Sequence, residues 1–145
     1  MEEIRFRLKA APFSINKAYY KNRKRTRECR EWGDDILLQL QSSKILSKLR
    51  KVKQWKAIEL HLLYHYPKEK LYTKKGEISR RSMDLSNIEK LLIDLICDSR
   101  YNGRVLKDTV LENANVDDKL IVKLVSEKRL SEDNSHYIDV IFLSV

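Results

Sequence analysis

The chain has 145 residues, a length that fits one domain. It is 42% apolar, enough for a single core, yet no stretch approaches the roughly 18 apolar residues needed to span a membrane. The net charge is +9 and it is concentrated, with six cations and no acid between 16 and 27, and six cations against two acids between 68 and 81.

That placement favours an anionic partner such as a phosphate backbone; the alternative is a pair of merely solvated loops. Met1-Glu2-Glu3 is acidic and no apolar run follows, so it does not read as a signal peptide. Cys29 and Cys97 have neither CxxC spacing nor histidine partners. They read as reduced thiols, which makes the cytoplasm the expected location.

Residues 3 to 10 alternate, with Ile4, Phe6 and Leu8 on one side and Arg5, Arg7 and Lys9 on the other, as in a half-buried strand. A basic, tyrosine-bearing loop follows from 12 to 27. Residues 28 to 50 read as a helix through the stripe Trp32, Ile36, Leu40, with Ser42-Ser43 bending or dividing it. Residues 53 to 66 form the longest strand, with Ile58, Leu60, Leu62, Tyr64 and Tyr66 on one face; Pro67 stops it. A basic loop from 67 to 83 has Gly76 as its turn. The clearest helix runs from 86 to 99, on Ile88, Leu91, Leu92, Leu95 and Ile96, with Ser86 and Glu89 as a capping box. Residues 100 to 116 are a turn at Tyr101-Asn102-Gly103 and then an irregular or helical piece. Strands 119 to 128 and 136 to 145 read as an antiparallel hairpin. The expected fold is α+β, a single domain in the order β-α-β-α-β-β, with two helices on a mixed sheet of about four strands.

Several side chains are candidates for chemistry. The capping box makes Ser86 the cap and leaves Asp84 unexplained by capping; a carboxylate at that loop–helix junction is a candidate metal ligand. Lys90 stands one turn above Ser86, either as an ordinary solvated lysine or as an ammonium that stabilises charge on a phosphate oxygen. Asp117-Asp118 is either a turn into the next strand or a ligand pair of which one member faces the metal. Magnesium commonly takes only one or two protein carboxylates, so Asp84 plus one of this pair would suffice. His61 and His65 share a strand face about 13 Å apart, too far for one metal, and with His136 they read as structural or surface residues. Tyr19 and Tyr20 either stack on bases or pin the basic loop to the core.

Taken in order, Asn16-Lys17-Ala18-Tyr19-Tyr20 with its basic run, Asp84-Leu85-Ser86-Asn87 with Lys90, and Asp117-Asp118 before a strand resemble the RusA family of Holliday-junction resolvases. The most specific part is the D-x-D-N-x-x-K motif paired with the downstream D-D. The resemblance implies a homodimer that binds four-way DNA junctions and nicks two opposed strands, using Mg²⁺, with Mn²⁺ as a substitute. It makes Asp84 and Asp118 metal ligands and catalytic residues, Asp117 their close neighbour and Lys90 the catalytic ammonium. The concentrated charge and the interleaved tyrosines make Asn16, Lys17, Tyr19, Tyr20, Lys21, Arg23, Lys24, Arg25 and Arg27, with Lys74, Lys75, Arg80 and Arg81, the candidates for DNA contact. Two departures stand out. Ser86 occupies the place of the motif's second aspartate, where a hydroxyl can ligate magnesium but brings no charge, and the stretch before Asp117 is longer. A junction-binding protein that has lost cleavage is therefore the alternative.

Overall fold

The computed structural model describes residues 1–19, 21, 24–97, 100–101, 104–105 and 116–145. In chain order its elements are β1 (Glu3–Leu8), α1 (Arg27–Leu40), α2 (Ser43–Lys53), β2 (Ile58–Tyr66), α3 (Lys68–Leu71), α4 (Leu85–Cys97), β3 (Arg100–Tyr101), β4 (Arg104–Val105), β5 (Ile121–Leu130) and β6 (Tyr137–Ser144). Three short 3₁₀ turns, Ile15–Lys17, Arg80–Ser82 and Asp118–Leu120, join them. The main sheet has four strands and is mixed, as expected for an α+β fold; β3 and β4 form a separate two-stranded pair.

Of the two alternatives for the helix from 28 to 50, bent or divided at Ser42-Ser43, the structure has the divided form, two helices. Ser42 ends one and caps the other, its Oγ accepting from the Ile45 amide at 3.4 Å. The helix also runs on to Lys53, so β2 starts at Ile58 rather than at 53. The expected loop from 67 to 83 is ordered as well. After α3, Tyr72 bridges Ile78 in a small hairpin whose turn Gly76 makes with a φ of 80°, a region open to glycine and strained for other residues.

The 119–128 and 136–145 strands do not pair as a hairpin. The sheet order is β1-β6-β2-β5: β6 lies between β1 and β2, antiparallel to both, and β5 runs parallel to β2 at the edge. Side-chain chemistry accounts for this. β6 is largely buried on both faces, with Ile138, Val140 and Phe142 fully buried on one and Tyr137 and Ile141 nearly so on the other, where Asp139 is paired with Arg7; this suits an interior strand. β5 carries Lys123, Glu127, Lys128 and Arg129, the charged pattern of an edge. The 131–136 connection crosses the end of β2, where the Ser131 amide donates to the Tyr66 carbonyl at 2.8 Å.

The core lies between one sheet face and the helices. Leu8, Ile58, Leu60, Leu62, Tyr64 and Phe142 from the sheet meet Ile36, Leu40, Leu49, Ile88, Leu92 and Ile96, every one of them fully buried. At about 1.5–3 kcal/mol per buried large apolar side chain, this cluster dominates the favourable side of folding. The opposite face carries Arg7, which grips Asp139 at 2.7 and 3.1 Å and lies over the Tyr137 ring. His65 stacks on that same ring, and His61 pairs with Glu59 at 2.6 Å. Cys29 and Cys97 are buried and not joined by a disulfide; burial pushes the Cys29 thiol up. Among the described residues no helix is long and apolar enough to cross a membrane.

Candidate nucleic-acid interface and the acidic positions

The chain enters α4 through an unusual backbone. Met83 has φ 65° and ψ 166°, a conformation that side chains other than glycine adopt at a cost of about 1–3 kcal/mol. Its neighbours hold it there. The Tyr66 hydroxyl donates to the Ser82 carbonyl at 2.5 Å, the Ser82 hydroxyl donates to the Ser79 carbonyl at 2.7 Å, and Lys128 Nζ donates to Ser82 Oγ at 2.9 Å. Tyr66 is buried, and burial raises its phenol well above the ordinary range, so it stays protonated as a donor.

This turn delivers Asp84 to a cavity of about 480 Å³. Arg80, Met83, Asn87, Lys128 and, from the first basic segment, Ser14 and Asn16 also line it. Two stretches more than sixty residues apart in sequence thus meet beside one carboxylate and two cations. Asp84 is exposed; its carbonyl accepts from the Asn87 amide at 3.0 Å and its carboxylate lies 3.5 Å from the Asn87 side-chain amide.

The capping box does not form. α4 begins at Leu85, so Ser86 sits exposed inside the first turn and Asp84 holds the position before the helix. Glu89, expected to reach back, instead accepts from Ser126 Oγ at 2.6 Å across to β5. Lys90 is exposed on α4, 3.4 Å from Asp94, and does not line the cavity.

Asp117 and Asp118 are both exposed, and Asp117 caps the 3₁₀ turn into β5, its Oδ1 accepting from the Lys119 amide at 3.0 Å. They lie far from Asp84 in the same protomer. The Asp118–Leu120 turn precedes Ile121, which pairs with Ile58 at the start of β2, whereas Lys128, at the Asp84 cavity, pairs with Tyr64 near its end. Seven residues of strand, on the order of 20 Å, separate Ile121, next to the Asp118 turn, from Lys128 at the Asp84 cavity. The expected meeting of these carboxylates in one hollow therefore does not occur within a protomer. Among the described residues no three metal-binding side chains cluster.

The second basic segment contributes Arg80 to the cavity, and the first reaches it through the neutral Ser14 and Asn16. Lys17, Tyr19, Lys21 and Lys24 are exposed, Arg25 is half-buried, and Arg27 pairs with Glu31 at 3.0 Å. Tyr19, bridged to Arg25, is 42% exposed, so its ring does not pin the segment; the fully buried Ala18 does, against Cys29 and Leu91. Tyr20 and Arg23 lie outside the described residues, as do Asn102, Gly103 and 106–115 of the irregular stretch. Arg80 lines the Asp84 cavity, Lys74 and Arg81 line a second cavity beside it, and Lys75 adjoins the Gly76 turn. Sequence reasoning missed Tyr66, Ser82, Met83 and Lys128. Ser82 and Met83 belong to a turn whose geometry leaves no sequence signature, Tyr66 braces that turn from the end of β2, and Lys128 reads as one more charge on a strand.

No protein-family model matches the chain, and no curated relative is found for it.

Proposed function

We propose that this chain binds branched DNA through the face around Asp84 and acts as a homodimeric, RusA-like junction endonuclease. The observation that carries the reading is a cavity whose lining joins one carboxylate, Asp84, presented by a strained turn, with the cations Arg80 and Lys128 and the neutral Ser14 and Asn16. Arg80 and Lys128 supply positive charge for a phosphate, and Asn16 and Asn87 supply polar groups for its oxygens.

A single protomer does not fit the two-carboxylate magnesium site that the resemblance implies. It offers Asp84 at the cavity with Arg80 and Lys128 close by, while Asp117 and Asp118 stand at the far end of β5. In this reading each centre takes Asp84 from one protomer and Asp117-Asp118 from a second copy, an arrangement a two-fold dimer repeats twice. What a divalent ion supplies when bound there is charge neutralisation at the phosphate and a more acidic water. Lys90 remains available to such a centre, since an exposed ion pair with Asp94 is readily exchanged for phosphate.

The alternative is a junction binder without cleavage, favoured by the exposed Ser86 where the resemblance calls for a carboxylate. A labelled four-way junction, incubated with and without Mg²⁺ or Mn²⁺ beside a linear duplex, separates the two. The nuclease reading predicts junction nicks with either ion, and Asp84→Asn that binds without nicking. Tight junction binding with no nicks in either ion selects the alternative. Equal affinity for linear duplex and junction removes both.

A further inference from the structure

Next to the Asp84 cavity, across the buried Ser79, lies a second cavity of about 550 Å³. Lys68, Glu69, Tyr72, Lys74 and Arg81 line it with Ser79. Its walls are fixed by backbone pairing. The Ser79 amide donates to the Leu71 carbonyl at 2.8 Å, and the Thr73 amide donates to the Glu77 carbonyl at 2.8 Å in the hairpin that begins at Tyr72. Tyr72 itself packs partly against the main core, so its ring is anchored. The volume falls in the range of small-molecule sites. One aromatic ring with three cations and one acid is a poor match for a bare phosphate and a good match for a nucleotide. Aromatic faces take bases without regard to sequence, and the cations take the flanking phosphates.

Resting on the DNA reading above, we infer that this cavity captures one unpaired nucleotide at a branch point. Its base stacks on Tyr72, its phosphates lie against Lys74 and Arg81, and the neighbouring phosphate is thereby led past Ser79 to the Asp84 cavity. Tyr72 is a positioning residue in this scheme. It holds the strand in register and takes no part in bond breaking.

The test uses the full-length protein in a binding titration without divalent ion. The probes are a fluorescein-labelled branched DNA carrying one unpaired nucleotide at the branch, and the same DNA with that base removed to leave an abasic sugar. Wild type is expected to bind the abasic probe about 5- to 150-fold more weakly. Tyr72→Leu should lose a similar factor on the intact probe and nothing further on the abasic one, while Tyr72→Phe should behave as wild type. Equal wild-type affinity for the two probes overturns the base cavity and leaves the phosphate-binding reading standing. Losses from Tyr72→Leu and from the abasic site that multiply when combined overturn it too. If wild type binds neither probe in a salt-dependent way, both readings fail together. The abasic comparison is made on unmodified protein, so it decides the matter even if Tyr72→Leu does not fold.

Discussion

Lys128 Nζ donates to Ser82 Oγ at 2.9 Å, so the edge strand β5 is tied directly to the turn that presents Asp84. Forty-six residues of chain separate the two. Together with the Tyr66 hydroxyl on the Ser82 carbonyl, the bond holds the strained Met83 backbone in place from two sides.

Tyr66→Phe keeps the ring and removes that donor, leaving the carbonyl of the fully buried Ser82 unsatisfied. The expected loss is about 1–3 kcal/mol of stability, seen as a lower urea midpoint with an unchanged slope. A midpoint equal to wild type would mean that the phenol contributes nothing to the turn.

Arg80 and Lys74 are expected to contact phosphate, one from each cavity. Replacing either by alanine should lower the dependence of log affinity on log salt, by about 0.9 for a duplex phosphate and about 0.7 for an unpaired one. Lys51, exposed on α2, serves as the control: Lys51→Ala should leave the slope unaltered. A uniform change across all three variants would point to net charge alone.

His136 sits edge-on to Tyr66 with ring centroids 5.5 Å apart. Burial, and then the nearby Lys70, lower its pKa below the ordinary value of 6.5, against an opposing pull from Glu69. The unfolded chain therefore binds this proton more readily than the folded one. The associated stability is fully present above pH 6.5 and is lost as pH falls below that value toward the depressed folded pKa. Urea titrations at pH 7.5 and 5.5 should show a larger drop for wild type than for His136→Asn. Identical drops would assign the pH dependence to other groups.

Much of this architecture is legible in the residues themselves. The alternation at Phe6 and Leu8, the five-residue apolar face of β2 and the stripe Ile88 to Ile96 each fall where periodicity puts them, because burial of one face dictates the period. Strand partners are less legible. β5 and β6 adjoin in sequence, which suggests a hairpin, yet β6, buried on both faces, is drawn into the sheet and the charged β5 is left at the edge. Of the site, the basic segments and Asp84 stand out by residue type and spacing. The left-handed Met83 does not, since methionine is a poor marker of positive φ, and the separation of Asp84 from Asp117-Asp118 depends on the direction of β5 in the sheet. A motif gives the order of its acids along the chain and says nothing about which end of a strand they occupy.

Mixing two inactive variants tests the two-copy centre most directly. Asp84→Asn and Asp118→Asn should each bind the four-way junction without nicking it in Mg²⁺. After equal amounts are unfolded and refolded together, half the dimers pair one of each and carry one intact centre. Single nicks should then return at about a quarter of the wild-type number of centres. Continued absence of nicks from the mixture, with heterodimers shown to have formed, would contradict a centre shared between copies, as would full activity of either variant alone.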